Sequence, residues 1–343
     1  MKTTLKELFL PSPIGGGFRM DGYWVWCGSV VLGEDNKYHM FASRWKKDVP
    51  MHPGWLIKSE VVRAVSDTPE GPFTFEEVVL PARGAQFWDG RSTHNHHINM
   101  IDDTYVLYYM GTTHPFPDNY ENTDAVVTCA RANKRIGIAI SKSVFGPWER
   151  KDFPILSTRP NYFDNFLTSN PAPCVLDNGN VFMMYKARNY IDMPYNRPLH
   201  GSMMFGMAKA DSFNGTYKHM SEKPLFGTSA EFEDPFIWHD MDGFNMIAKD
   251  MDGSISGEHY GGVHALSQDG IHWEVEKDVL FYSRKVLFSD GVVREMANME
   301  RPFILFHKDK PTHIYFATSD GKPETGFVGC DNTWNMVIPL KSL

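Results

Sequence analysis

The chain has 343 residues, with 42 acidic and 34 basic side chains and a formal net charge of −8 at pH 7. This acidic balance, without any block of Lys or Arg, disfavours nucleic acid as a partner, because phosphates need a basic surface. No apolar run approaches the roughly 18 residues of a membrane-spanning helix, so no membrane partner is expected either. The aromatic content of 14% is high and suits stacked sheets or sugar-stacking surfaces.

The N-terminal segment MKTTLKELFLPSP carries Lys6 and Glu7 within its only apolar patch and lacks a small-residue cleavage site. It therefore does not match a secretory signal peptide. The expected location is the cytoplasm, or the periplasm or the extracellular space if a signal peptide has been removed. The four cysteines form no Cys-x-x-Cys pair and are expected to be buried free thiols.

A two-part pattern recurs five times along the chain. The first part is a polar cluster followed by an apolar, aromatic-rich hairpin, as in SNPAPCVLDNGNVFMMYKAR and FEDPFIWHDMDGFNMIAKD. The second part is a strand such as Ala139-Ile140-Ser141 followed by a turn such as Gly146-Pro147-Trp148. A repeated unit of about 50 to 75 residues with four short strands is typical of a propeller blade.

The sequence therefore predicts an all-β fold, a five-bladed β-propeller, in which residues 1–343 form a single catalytic domain. The predicted blades cover about residues 20–80, 90–155, 166–222, 232–285 and 298–343. Helical periodicity is not sustained anywhere, apart from a possible turn at residues 4–8. Three long insertions, at residues 46–59, 113–130 and 189–201, follow the second strands of the first three blades. Such segments commonly shape a binding site, although plain surface decoration is the alternative.

The innermost strand of each blade lies beside the central axis, so we expect the polar cluster before each first strand to face that axis. In chain order the clusters contain Asp21; Asp89 with His94, Asn95, His96 and His97; Asp164 with Asn170; Glu231 with Glu233 and Asp234; and Glu300 with Arg301. Convergent carboxylates in a concave apolar setting are candidates for an acid–base pair with separated pKa values. Asn170 and Asp234 each precede a proline, so turn formation remains an alternative for both.

Further side chains could bind a substrate. Trp24 and Trp26 share one strand face and could form either blade packing or a sugar-stacking wall. Lys186 and Arg188, at the end of a second strand, could hold a hydroxyl or carboxylate of the substrate or pair with neighbouring acids. Arg301 is expected to lower the pKa of the adjacent glutamate, which argues against Glu300 as the proton donor.

His94 and His96 stand two residues apart on a predicted strand, a spacing that would permit joint ligation of a metal ion. No third or fourth ligand is recognisable. We therefore expect no metal and no cofactor, and interpret these histidines as hydrogen-bonding groups of a sugar pocket, with a metal near them as the alternative.

Taken together, the five-fold unit, the first-blade Asp, the Asn-Pro and Asp-Pro clusters and the Gly-Pro-Trp turns resemble the five-bladed β-propeller glycoside hydrolases. These comprise families 43, 62, 32, 68 and 117, with the mannoside phosphorylases of family 130 as relatives. The resemblance covers essentially the whole chain through short motifs. For the family 43 type it implies Asp21 as general base and Glu233 as general acid, with Asp234 beside it.

One position departs from that pattern. The resemblance implies an Asp in the third blade that tunes pKa values, but this chain has Asn170, which carries no charge. Either Asp164 replaces it or the tuning comes from elsewhere. In family 117 the acid can be a histidine, which draws attention to His94, His96 and His97.

The predicted function is hydrolysis of a glycosidic bond in an oligosaccharide or polysaccharide fragment, exo-acting and inverting, with one carboxyl donating a proton and another activating water. The expected partner is thus a carbohydrate substrate. Two alternatives stay open: a non-catalytic carbohydrate-binding propeller, and an inverting glycoside phosphorylase. The phosphorylase would need cations for phosphate, for which the candidates are Arg91, Lys186, Arg188 and Arg301. The sugar, the linkage and the oligomeric state are not predicted.

Overall fold

A computed structural model describes residues 5–117, 124–191, 200–227, 231–276 and 279–342. Blade one contains β1 (Tyr23–Leu32), β2 (Tyr38–Lys46), β3 (Glu60–Ser66) and β4 (Thr74–Leu80). Blade two contains β5 (Ser92–Ile101), β6 (Thr104–Thr112), β7 (Arg135–Ser141) and β8 (Glu149–Arg150). Blade three contains β9 (Leu167–Val175), β10 (Val181–Arg188), β11 (Met204–Ala210) and β12 (Lys218–His219).

The second half of the chain continues this order. Blade four contains β13 (Phe232–Asp240), β14 (Gly243–Asp250), β15 (Gly262–Ser267) and β16 (Glu274–Val275). A separate hairpin of β17 (Lys285–Leu287) and β18 (Val293–Glu295) leads to blade five. Blade five contains β19 (Glu300–His307), β20 (Lys310–Ser319) and β21 (Thr333–Pro339). Within each blade, consecutive strands pair antiparallel.

The first strands of the five blades contact one another in cyclic order, from β1 through β5, β9, β13 and β19 back to β1. They therefore surround a common axis, and the prediction of an all-β, five-bladed propeller is confirmed. Apolar side chains fill the spaces between neighbouring sheets, which is why each blade needs its neighbours to bury both faces. None of the helices in the described ranges is long and apolar enough to cross a membrane.

The N-terminal segment supplies the outer edge of blade five. Phe18 and Asn335 exchange both backbone hydrogen bonds at 2.9 Å, and the Leu10 N–H donates to the Pro339 carbonyl at 2.9 Å. The segment lies antiparallel to β21 at both points. Residues from the two ends of the described chain thus complete one sheet and close the ring.

Each innermost strand contains a bulge at the same place in its blade. Its first residue has a positive φ in every case: Cys27 (57°), Asn95 (49°), Asn170 (49°), Asp234 (59°) and Arg301 (52°). The pairing register shifts across each of these positions. A bulge redirects side chains and stores local strain, and such sites cluster beside functional centres. The turn interpretation of Asn170 and Asp234 is therefore wrong, because both lie inside a strand.

Two of the acids that precede first strands are clamps within their own blades. The buried Asp89 carboxylate accepts hydrogen bonds from Arg83 Nε at 2.6 Å and from the Tyr109 hydroxyl at 2.7 Å. The same residue types meet in blade three, as Arg159, Asp164 and Tyr185. Because both carboxylates are committed to internal pairs, the expectation that these acids face the axis is wrong, and Asp164 does not replace an Asp at position 170.

Asp89→Asn is expected to lower the free energy of unfolding by about 1.5–3 kcal/mol, because the new amide nitrogen faces donors that the carboxylate had satisfied. Asp152→Asn is the matched control. Asp152 also pairs with Arg83, yet its side chain is 71% exposed, so a change within about 0.5 kcal/mol is expected. Denaturant unfolding measures both, and equal losses would contradict a clamp role specific to Asp89.

Two insertions contain short helices that the sequence pattern did not predict. Helix α1 (Met51–Ile57) lies in the first insertion and α2 (Asp124–Ala132) in the second. They contact each other through an apolar cluster formed by Leu56, Ile57, Val126 and Ala130. Helices this short show too few turns for their periodicity to be recognised. Residues 118–123 and 192–199 of the second and third insertions lie outside the described residues.

Candidate functional site

A cavity of about 190 Å³ lies where the bulges of the five innermost strands converge. Its wall includes nine of the residues that the sequence singled out: Trp26, His94, Asn95, Asn170, Lys186, Glu233, Asp234, Glu300 and Arg301. Side chains of α1 and α2 also line it, so the first two insertions contribute to this site. Drug-sized ligands occupy pockets of roughly 300–1,000 Å³. This smaller space suits a single sugar ring.

Four of the residues predicted to act in catalysis or sugar binding lie outside this wall. Asp21 is exposed on the turn before β1. Trp24 is buried beside the first insertion and donates its Nε1–H to the Val49 carbonyl at 2.9 Å. Arg188 donates to the Gly201 carbonyl at 2.7 Å. The fourth candidate, His96, lines a separate small cavity.

Asp21 does not reach the axis because of the position of the bulge within β1. The side chains that reach the axis come from inside β1, five residues or so after its polar cluster, and in blade one these are Trp26 and Cys27. Blade one therefore brings no carboxylate to the cavity among the described residues. The base that the resemblance assigns to Asp21 is not positioned to act there.

The histidines of β5 line two different cavities. His94 faces the main cavity, where its Nδ1 lies 2.9 Å from the Ser59 hydroxyl and its ring packs against Trp45 and Trp55. Burial lowers the pKa of His96 to about 3. No group of three His, Cys, Asp or Glu side chains within the described ranges is arranged to hold a metal ion.

The small cavity has room for one water molecule, with a volume of about 10 Å³. Its wall includes His96, His97 and Arg301, and burial lowers the pKa of His97 to about 3. Both imidazoles are therefore neutral at pH 7. The Nε2 atoms of both histidines and the Nε of Arg301 have no hydrogen-bond partner within the described part of the chain.

The bulge residues are joined by a directed chain of hydrogen bonds. The Cys27 thiol donates to Asn95 Oδ1 at 2.9 Å, Asn95 Nδ2 donates to Asn170 Oδ1 at 2.6 Å, and Asn170 Nδ2 donates to Asp234 Oδ1 at 2.6 Å. The Arg301 backbone N–H reaches the second oxygen of Asp234 at 3.2 Å. The Asn170 amide can both accept from Asn95 and donate to Asp234, whereas an ionised Asp at position 170 would set two carboxylates against each other. This explains why the third blade carries Asn170.

Beside this chain, two glutamates share one buried ammonium group. Lys249 Nζ lies 2.9 Å from Glu233 Oε2 and 2.8 Å from Glu300 Oε1, and Lys186 Nζ donates to the other oxygen of Glu233. Burial acts to raise the pKa of Glu233, but the two ammonium groups outweigh it and hold that pKa well below its usual value. Glu233 is thus ionised, which does not suit the proton-donor role implied by the resemblance.

The pKa of Glu300 is displaced in the opposite direction. Burial raises its pKa, and the carboxylates of Asp234 and Glu233 add to this effect against the opposing charge of Lys249. Arg301 was expected to lower this pKa, but its side chain lies toward Asp234, at 3.7 Å, and toward the Asn95 carbonyl, at 3.4 Å. Two neighbouring carboxyls with pKa values displaced in opposite directions are the usual arrangement of an acid and its partner.

Several residues of this site were missed in the sequence. Lys249 could have been predicted from the repeat, because it lies at the end of the second strand of blade four, much as Lys186 does in blade three. His52, Trp55 and Arg131 come from insertions with no counterpart in other blades, so the repeat could not indicate them.

No protein-family model matches this chain, and no curated protein matches its sequence. Solved structures match its fold over nearly the whole length. A family 117 glycoside hydrolase from the marine bacterium Zobellia galactanivorans gives a TM-score of 0.64 at 16% identity, over 97% of this chain and 89% of its own. The fold is that of the five-bladed propeller glycoside hydrolases.

Two further structures carry the same fold. The catalytic domain of the Coprinopsis cinerea family 62 α-L-arabinofuranosidase gives a TM-score of 0.61 at 10% identity, covering 98% of each chain. A thermostable family 43 glycoside hydrolase gives 0.58 at 12% identity, covering 93% of this chain and 89% of its own. The resemblance seen in the sequence is confirmed at the level of the fold, while the activity has to be argued from the site.

Proposed function

We propose that this protein is a glycosidase that cleaves a terminal sugar residue bound in the axial cavity. The observation that carries this proposal is a pair of glutamates, the partly buried Glu233 and the buried Glu300, whose pKa values are displaced in opposite directions within one cavity. The small volume of the cavity supports exo action, because it accommodates one sugar ring and no extended chain.

The two glutamates take complementary roles. Glu300, with its raised pKa, donates its proton to the glycosidic oxygen as the bond to the leaving group breaks. Glu233 is held ionised by Lys186 and Lys249. Its carboxylate stabilises the positive charge that develops at the anomeric carbon, or bonds to that carbon. This reverses the role of Glu233 implied by the family resemblance and leaves Asp21 without one.

The shared lysine also bears on the stereochemical course. Oxygens of Glu233 and Glu300 contact the same Lys249 nitrogen, at 2.9 and 2.8 Å, so the two carboxyl groups are close neighbours. Carboxyl groups about 5–5.5 Å apart are typical of retaining glycosidases, whereas inverting enzymes need about 6.5–9.5 Å to admit water. We therefore favour retention over the inversion expected from the sequence, with Glu233 bonding to the anomeric carbon. Water then releases the sugar and returns a proton to Glu300.

A screen of aryl glycosides, read by aglycone release, tests the activity, and NMR of the first-formed anomer tests retention. Release that depends on Glu300 and not on Asp21 is the expected result. Sugar binding without release from any glycoside would instead favour the non-catalytic carbohydrate-binding propeller. A first product of inverted configuration would leave the glycosidase proposal intact and remove the covalent step.

Phosphorolysis finds less support at this site. Arg91 does not line the cavity and donates to the Phe116 carbonyl, while Lys186 is already paired with Glu233. Repeating the screen with inorganic phosphate distinguishes the two reactions, because a phosphorylase would release a sugar 1-phosphate only when phosphate is present.

A further inference from the structure

The hydrogen-bond chain between the bulge side chains has a fixed direction. It ends at Asp234, whose two carboxylate oxygens accept hydrogen bonds from the Asn170 amide and from the Arg301 backbone N–H. Asn170 therefore turns its nitrogen toward Asp234 and its oxygen toward Asn95. Asn95 in turn offers its nitrogen to Asn170, so its own oxygen faces Cys27. Each of the two amides thus has a single orientation that satisfies its neighbours.

The other end of the chain needs a donor, and the Cys27 thiol supplies it. Its Sγ lies 2.9 Å from Asn95 Oδ1 and 3.7 Å from His94 Nε2, so the close contact is the one to the amide. Cys27 is 2% exposed, and burial raises the pKa of its thiol, which therefore keeps its hydrogen at pH 7. A side chain without a donor at this position would leave the buried Asn95 oxygen unpaired.

Each amide has one hydrogen that this chain does not use. A primary amide carries two N–H donors, and Asn95 and Asn170 each direct one of them along the chain. Neither nitrogen donates to a second group within the described residues. Both side chains line the axial cavity, and they are only 6% and 1% exposed. A buried donor without an acceptor is costly, and an oxygen of a bound sugar relieves that cost.

We propose that Asn95 and Asn170 form a donor pair that binds two oxygens of the sugar in the axial cavity, and that Cys27 is the positioning residue that orients this pair. The inference rests on the proposed function only in that a sugar occupies the cavity. A sugar with hydroxyl groups at both positions accepts the two hydrogens. The site therefore selects it over a deoxy sugar that lacks either hydroxyl.

The S–H stretching band of Cys27 tests the direction of the chain without any ligand. The infrared difference between the wild-type protein and Cys27→Ser isolates this band. Cys174 is the matched reference, because it is also buried on a first strand and its thiol makes no hydrogen bond within the described residues. Donation weakens the S–H bond, so the Cys27 band is expected at a lower frequency than the band that Cys174→Ala removes. Equal frequencies would overturn the inference.

Sugar binding measures the effect of this orientation. Trp26 and Trp55 line the cavity, so tryptophan fluorescence reports its occupancy. The probe is whichever of D-galactose, D-glucose, D-xylose and L-arabinose binds the wild-type protein most tightly. Cys27→Ala is expected to weaken this binding by about 2–10-fold, the effect of one neutral hydrogen bond. Cys27→Ser should restore most of it, since a hydroxyl again donates, and the control Cys174→Ala should leave it unchanged.

Monodeoxy derivatives of the same sugar separate orientation from packing. In the wild-type protein, removal of the hydroxyl at each of two ring positions should weaken binding about tenfold, because an amide hydrogen is then left unpaired. In Cys27→Ala the loss at the position bound by Asn95 should shrink, and in Cys27→Ser it should return. A packing effect alone would weaken the parent sugar and its deoxy derivatives by the same factor.

Thermal unfolding verifies the fold of each variant. If Cys27→Ala does not fold, the S–H band and the deoxy losses of the wild-type protein decide the matter. The inference is overturned if none of the four sugars binds, if Cys27→Ser binds as weakly as Cys27→Ala, or if no hydroxyl removal weakens binding. The proposed function has a separate outcome. Cleavage of aryl glycosides without these effects would retain the glycosidase and remove the donor pair, whereas these effects without cleavage would do the reverse.

Discussion

Glu300→Gln is expected to lower the rate of glycoside cleavage by about 10²–10⁴-fold, the usual contribution of a positioned general acid. Glutamine keeps the size of the side chain and its hydrogen bond to Lys249, so binding of the sugar should change little. The variant therefore loses kcat while KM is nearly preserved. Steady-state kinetics on the best aryl glycoside of the screen provides the measurement.

The pH profile supplies an independent readout. Glu300 must be protonated to act, and its pKa is raised, so wild-type activity should persist until the pH rises through that pKa and then fall. Glu233 must be ionised, and because its pKa is lowered, activity should decline only when the pH falls well into the acidic range. In Glu300→Gln the alkaline limb should disappear from the residual activity.

Asp21→Asn is the matched control for this experiment, being another carboxyl-to-amide change. Asp21 is exposed and outside the cavity, so activity within about twofold of wild type is expected. Loss of activity in Asp21→Asn with normal activity in Glu300→Gln would contradict the assignment and support the roles implied by the family resemblance.

Lys249→Met is expected to lower the free energy of unfolding by about 3–5 kcal/mol, the typical effect of removing one partner from a buried ion pair. Lys249 is 2% exposed and its ammonium contacts both Glu233 and Glu300. Methionine fills a similar volume, so the loss reflects the missing ammonium group, although Glu233 keeps its second partner, Lys186. Denaturant unfolding at pH 7 provides the measurement.

Lys142→Met is the matched control, because it removes a lysine from an exposed ion pair. Lys142 is 70% exposed and its partner Asp103 is 81% exposed. A change of no more than about 1 kcal/mol is expected there. Adding Glu300→Gln to Lys249→Met should recover part of the lost stability, because a neutral amide then replaces the carboxyl group that Lys249 had contacted. Additive effects of these two substitutions would show that they do not interact.

The ring could be predicted from the sequence because each blade repeats its own hydrophobic pattern, and strand periodicity is a local property. The residues whose side chains reach the axis could not be predicted in the same way. Each bulge lies inside an apolar strand, so the side chain at the axis is Cys27 in blade one, several residues after the conspicuous Asp21. Where the polar cluster and the bulge coincide, as at Asn170 and Asp234, the prediction reached the axis.

The remaining differences come from long-range partners. Asp89 and Asp164 looked like the other acids until the structure showed their Arg and Tyr partners inside the blade. Burial raises the pKa of Glu300, and the largest opposing charge is that of Lys249, 51 residues away in sequence, and not that of its neighbour Arg301. The expectation that Arg301 lowers the pKa of the adjacent Glu300 is wrong because consecutive residues on a strand point in different directions.

The pairing of Phe18 with Asn335 has a consequence for the order of assembly. Four blades are built from hairpins between near neighbours, so each can form as soon as its own residues have left the ribosome. Blade five needs both ends of the described chain, which places its completion last. Until β21 has been made and has paired, β20 exposes an unpaired edge, the kind of edge through which chains associate wrongly. The pairing of β21 with β20 and with the N-terminal segment is thus expected to remove the last open edge of the ring.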